Sequence, residues 1–100
     1  MAVWEIAQLT IAEGKHDEFE SVVQSILPLL KEADGCLDVR LLRAIDKENA
    51  FLMCAQWETL EHHTEVFAKS EALVELVNAI GPFFTAPPEV THANTVIDGF

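Results

Sequence analysis

Gln56 to Leu73 reads Q-W-E-T-L-E-H-H-T-E-V-F-A-K-S-E-A-L, and Asn78 to His92 reads N-A-I-G-P-F-F-T-A-P-P-E-V-T-H. The first segment reads as a strand ending at Trp57 and then a broken amphipathic helix, with Leu60, His63 and Phe67 on one apolar face. Thr59 is placed to N-cap this helix. Ser70 can cap a second helical piece, whose Leu73, Leu76, Val77 and Ile80 form an apolar stripe. Gly81-Pro82 ends that piece, and Pro87-Pro88 forces an extended entry into a last strand, Val90 to Ile97. The helix therefore folds back over the sheet, which gathers a histidine, tryptophans and apolar rings around one expected pocket.

Upstream, Val3 to Ile11 alternates loosely (Val3, Ala7, Leu9, Ile11) and reads as a strand that Gly14 ends. Asp17 and Glu18 suit a helix N-terminus. Phe19, Val22, Val23, Ile26, Leu30 and Ala33 then recur at helical spacing. Pro28 inside that helix should kink or locally break it, and Asp34-Gly35 stops it. Cys36 to Ile45 reads as a second strand, and Asp46-Lys47-Glu48-Asn49 as a polar turn. Phe51 to Trp57 returns as a third strand.

The order is βαββαβ, which predicts an α+β ferredoxin-like fold: a four-stranded antiparallel sheet with two helices on one face. The third strand is apolar on both faces, with Phe51, Met53, Ala55 and Trp57 on one and Leu52 and Cys54 on the other. A monomer would expose that second face, so a homodimer packed sheet to sheet is expected.

One hundred residues make a single domain, residues 1–100. Seventeen acidic residues against six basic ones give a net charge of -11, which argues against nucleic acid and against anionic membrane surfaces as partners. No leader pattern and no apolar run of spanning length is visible, so a cytoplasmic location is expected. The strand pairing puts Cys36 about five residues, roughly 17 Å, from Cys54, beyond disulfide reach. Both are expected to be reduced. The four glycines are isolated, which excludes a Gly-rich phosphate cradle. No serine or threonine sits in a nucleophile elbow.

His63, between Leu60 and Phe67, is the leading candidate for chemistry. Imidazole can act as a base toward a weakly acidic phenol or carbon acid, and the plainer alternative is a core histidine bonded to a strand carbonyl. His62 points elsewhere and pairs with Glu58 at the surface. His62, His63 and His92 share no ligand spacing on one element, so no metal is expected. Trp4 and Trp57 can line a pocket for a flat aromatic ligand or simply pack. His92 and Asn94 share a face of the last strand and either meet a ligand or lie in the dimer interface. Glu5 and Gln8, the polar interruptions of the first strand, carry the same ambiguity.

The D-G-C-L turn at Asp34–Leu37 is one of several family features. The others are Trp57 followed by Leu60-Glu61-His62-His63, Val66-Phe67 with Ser70, Gly81-Pro82-Phe83-Phe84 and Pro87-Pro88-Glu89-Val90-Thr91-His92. In this order and over nearly the whole chain, the sequence resembles the antibiotic biosynthesis monooxygenase (ABM) domain family of dimeric α+β barrels. The resemblance implies a sheet-to-sheet dimer with a pocket between sheet and helices in each subunit. It also implies oxidation of a small aromatic or polycyclic phenol, anthrone or quinol by O₂ without metal, flavin or other cofactor. His63 would then be the catalytic residue, with Trp57, Phe67, His92, Asn94 and Trp4 binding a small hydrophobic aromatic ligand. The chain has no asparagine between Val3 and Ile11 and no tryptophan in its second helix, as haem-degrading relatives have, so haem degradation is not implied. Two other functions fit the same fold: a non-catalytic dimeric barrel that binds a small hydrophobic metabolite in a stress response, and an isomerase or lyase that shuttles a proton without oxygen.

Overall fold

The computed structural model describes residues 2–100. Its elements run β1 (Val3–Thr10), α1 (His16–Lys31), β2 (Cys36–Arg43), β3 (Ala50–Trp57), α2 (Glu71–Ile80) and β4 (Glu89–Ala93). The strands form one antiparallel sheet in the order β2-β3-β1-β4, so the βαββαβ reading and the ferredoxin-like fold hold.

Register fixes which side chains meet the helices. Val3, Glu5, Ala7 and Leu9 of β1 stand opposite Trp57, Ala55, Met53 and Phe51 of β3, and all of them point to the helix side by strand alternation. Phe19, Val23 and Leu30 of α1 and Leu76 and Ile80 of α2 close over that face. Trp57, Phe19, Phe51 and Ile11 are the largest fully buried side chains, each removing enough apolar surface from water to contribute roughly 2–3 kcal/mol. Trp4, Ile6 and Gln8 of β1 and Leu52, Cys54 and Gln56 of β3 point the other way, onto a face that neither α1 nor α2 covers.

Several boundaries depart from the sequence reading. β4 stops at Ala93 and does not reach Ile97, because its partner β1 begins at Val3 and the pairing ends at Trp4↔Ala93. β2 ends at Arg43 and Ile45 is fully exposed. An irregularity between Cys36 and Asp38 brings Cys36 opposite Trp57. Cys36 thus lies three residues from Cys54 along β3, about 10 Å, instead of five; both thiols are free. Helix α1 runs through Pro28 without a break. Pro28 is exposed, as is Gln24, whose carbonyl loses its helical partner there and faces water. Val77, expected in the α2 stripe, is exposed.

Between β3 and α2 the backbone forms two uncommon turns in succession, a π-helical stretch from His62 to Val66 and a 3₁₀ turn from Phe67 to Lys69. The Phe67 N–H is shared between the carbonyls of His62 and His63. Both expected caps form: Thr59 Oγ1 accepts from the His62 N–H at 3.3 Å, and Ser70 Oγ from the Leu73 N–H at 3.3 Å.

The turn before β2 is locked against this segment. Gly35 adopts φ +81°, and its carbonyl accepts from the Glu58 N–H at 2.8 Å. A Cβ at position 35 would lie 2.3 Å from the His62 ring. Gly14 has a similar φ of +79° but nothing within 4 Å of a built Cβ. Gly14→Ala should therefore cost only the left-handed backbone penalty, about 1 kcal/mol. Gly35→Ala should cost roughly 2 kcal/mol or more, because it adds the clash with His62. Urea denaturation of the two variants measures the difference, and equal losses would contradict it.

Candidate functional site

Four elements converge on one cluster. β1 contributes Glu5, the end of β3 contributes Trp57, the π-helical stretch contributes His63, and β4 contributes His92, which stands directly opposite Glu5. The π-helical stretch lets His63 and Phe67 both turn toward the sheet, with rings near parallel at 6.5 Å and 27°. The Trp57 indole stacks on the His63 imidazole at 5.3 Å and 23°. Phe67 packs against the same indole at 5.3 Å.

Two hydrogen bonds and one charge contact tie the polar atoms together. Trp57 Nε1–H donates to Glu5 Oε1 at 3.0 Å. The same oxygen lies 3.3 Å from His63 Nε2, and His63 Nδ1 lies 2.8 Å from His92 Nε2. The His63 and Glu5 side chains are largely covered, 18% and 17% exposed, whereas His92 is open to solvent. His63 Nδ1 is hydrogen-bonded and its Nε2 faces the carboxylate in a charge contact, so the array runs from a covered carboxylate outward to an exposed imidazole.

Burial pushes the His63 imidazole below its ordinary pKa. The Glu5 carboxylate works against that shift and the neighbouring His92 adds to it. His63 is therefore neutral near pH 7 and free to take up a proton, with a carboxylate in place to stabilise the cation that results. The two thiols are pushed up by burial, Cys36 and Cys54 alike, which disfavours thiolate chemistry at neutral pH. Among the described residues no three His, Cys, Asp or Glu side chains are grouped to hold a metal ion.

The structure brings His63, Trp57, Phe67 and His92 into one cluster. It does not bring in the other two expected ligand contacts. Trp4 points to the opposite sheet face, paired with Gln56 and Ala93. Asn94 lies past the end of β4 and is exposed. The expected pocket is also modified: Trp57 and Phe67 are buried and packed together, filling the space between sheet and helix. Two clefts of about 340 and 350 Å³ lie instead along α1 and β2, sharing Leu27 and Val39. The accessible part of the cluster is its outer end, where His92 shares the helix side of β4 with the half-exposed Val90.

Glu5 is the member that residue patterns left ambiguous. The available signal was parity: Glu5 falls in register with Ala7, Leu9 and Ile11, which makes it an acid on the inward face. An inward acid needs partners, and Trp57 and His63 are those partners.

Comparison with known proteins gives a consistent picture. Residues 2–79 match the profile of the family described as antibiotic biosynthesis monooxygenase. YczJ of Bacillus subtilis (strain 168), an uncharacterised protein, is 33% identical over 94 residues, covering 94% of this chain and 99% of YczJ. A Bordetella bronchiseptica protein assigned by name to the antibiotic biosynthesis monooxygenases superposes with a TM-score of 0.93 at 31% identity, over 96% of this chain and 98% of the other. SnoaB of Streptomyces nogalater, a cofactor-independent oxygenase, superposes with a TM-score of 0.82 over 98% and 96% of the two chains. At 20% identity that match speaks for the fold alone.

The depressed His63 pKa has a consequence for stability. The unfolded chain binds this proton at a higher pH than the folded chain does. Stability is therefore full above the unfolded value, about 6.5, and declines as pH falls through it toward the lower folded value. Thermal melts between about pH 7 and pH 5 should show Tm falling with acid, and His63→Phe should flatten the slope. Identical slopes in the two proteins would contradict this account.

Proposed function

The chain belongs to the antibiotic biosynthesis monooxygenase family, and from that premise we propose that it oxidises a small aromatic phenol, anthrone or quinol with O₂ and without a cofactor. The observation that carries the reading is the His63 imidazole, neutral and half-enclosed, held between a carboxylate and a second imidazole. An imidazole so held, with its neighbours, can take up a proton from an acidic phenol or from the methylene of an anthrone. The electron-rich anion then reacts with O₂ itself. For an anthrone, carbon–oxygen bond formation and protonation give a hydroperoxide, which loses water to leave the quinone carbonyl. One oxygen atom ends in product and the other in water.

The protein's part is to generate and orient the anion. The cation formed on His63 rests against Glu5, so charge separation in the transition state is offset locally. The Trp57 and Phe67 rings keep water away from the inner side of His63, and the substrate ring would lie against His92 and Val90 at the open end. SnoaB, which shares the fold, is named a cofactor-independent oxygenase, so the fold is compatible with this chemistry.

Catalysis should be lost when the base is lost. Oxygen uptake by metal-free protein, measured against a panel of anthrones and hydroquinones, should exceed autoxidation in the wild type. It should fall by roughly 10²-fold or more in His63→Ala. Uptake equal in both would contradict the assignment, and turnover without oxygen consumption would favour proton shuttling in an isomerase.

The reading includes a homodimer through the face that carries Ile6, Leu52 and Cys54, whose apolar surface is otherwise left to water. Sedimentation should then give twice the 11.1 kDa chain mass. Leu52→Glu, which places a charge at the centre of that face, should shift the mass to the monomer, and a wild-type monomer would contradict the assembly.

A further inference from the structure

We infer that Glu5, His63 and His92 form a directional proton relay, in which His92 Nδ1 is the atom that takes the proton from the substrate and Glu5 is a positioning residue. The inference rests on the functional reading above and deepens it. It assigns the contact with substrate to a residue other than the half-enclosed His63.

The direction follows from the charge of the carboxylate and the hydrogen-bonding capacity of the two imidazoles. A glutamate carboxylate only accepts. Glu5 Oε1 already accepts from Trp57 Nε1–H at 3.0 Å, and the His63 nitrogen facing it at 3.3 Å is Nε2. That contact is electrostatic, and it favours the tautomer that turns an N–H rather than a lone pair toward the carboxylate, which leaves the lone pair on Nδ1. That lone pair lies 2.8 Å from His92 Nε2, so His92 donates from Nε2 and its own lone pair sits on Nδ1. Each ring's tautomer is set by the one before it, beginning at the carboxylate. His63 has no free nitrogen with which to touch a substrate, and His92, exposed on edge strand β4, has one.

The proton balance closes on these atoms. A substrate O–H or C–H bond breaks and the proton joins His92 Nδ1. The proton on His92 Nε2 passes to His63 Nδ1. His92 is again neutral, and the positive charge rests on His63 with one N–H turned toward the Glu5 carboxylate. Among the described residues no lysine or arginine lies within 4.0 Å of the Glu5 carboxylate to neutralise it beforehand. Trp57, stacked on His63 and bonded to Glu5, holds the two at their mutual angle.

Two experiments test the relay, and they separate its failure from failure of the oxygenase reading. The first needs no activity. Long-range ¹H–¹⁵N correlation on histidine-labelled protein, at roughly pH 8 where ordinary imidazoles are neutral, reports each tautomer. His63 and His92 should both be protonated on Nε2, and Glu5→Ala should scramble the His63 tautomer; Glu5→Gln serves if that variant does not fold. A wild-type His63 protonated on Nδ1, or tautomers indifferent to Glu5, would overturn the relay whatever the protein catalyses.

The second uses a substrate that the wild type turns over. His92→Ala should lower kcat by about 10²-fold or more, and added imidazole should restore part of it, because that position is open to solvent. His63→Ala should not be rescued, since its place lies within the ring stack. Glu5→Gln should lower kcat with little change in KM. Wild-type kcat in His92→Ala would sink the assignment of Nδ1. A wild type that consumes no oxygen with any substrate would sink the oxygenase reading, while the tautomer measurement would still decide the relay.

Discussion

A carboxylate on the covered face of the central strand β1 is the constraint around which this molecule is arranged. Glu5 sits in a row with Ala7 and Leu9, where a charge without partners would cost several kcal/mol. Three elements supply those partners and neighbours. The last residue of β3 brings the Trp57 indole N–H, the π-helical stretch brings His63, and β4 places His92 directly across the strand. The need to satisfy one largely covered acid thus ties the closing strand, the irregular helix start and the edge of the sheet together. It also produces a polar array in a largely apolar layer.

The packing of that layer was largely legible in the residues. Alternation in β3 separated Phe51, Met53, Ala55 and Trp57 from Leu52 and Cys54, and the helix stripe of Phe19, Val23 and Leu30 faces the core as its spacing requires. These features are local, and burial of one face per element determines them. His63 could be placed inward by the same logic. Ser70 and Thr59 could be read as caps because their side chains compete for backbone N–H groups in a way few residues do.

What escaped the sequence depended on pairing between distant residues. The length of β4 is set by where β1 begins, so the apolar Val96 and Ile97 gave a misleading extension. The offset of Cys36 from Cys54 depends on an irregularity at Cys36/Asp38 that no residue type signals. The filling of the expected pocket by Trp57 and Phe67 follows from how the backbone overwinds and underwinds between His62 and Lys69. Glu5 stayed an ambiguous polar interruption of the first strand because its partners lie 52 and 58 positions further along the chain. Trp4 looked like a pocket residue because tryptophan suits either sheet face, and parity alone puts it on the other one.

The π-helical stretch also bears on how this scaffold can diversify. An α-helix turns about 100° per residue, and a π turn holds one residue more than an α turn in the same register with its surroundings. Deleting a single residue between His62 and Val66 would tighten that turn to an α turn and change, by about a quarter of a revolution, which side chains within it face the sheet. A different residue would then face the Trp57 indole, and the sheet, α1 and α2 could stay where they are. A one-codon insertion or loss at this point is therefore a short route between descendants that share a framework and differ in reactive group.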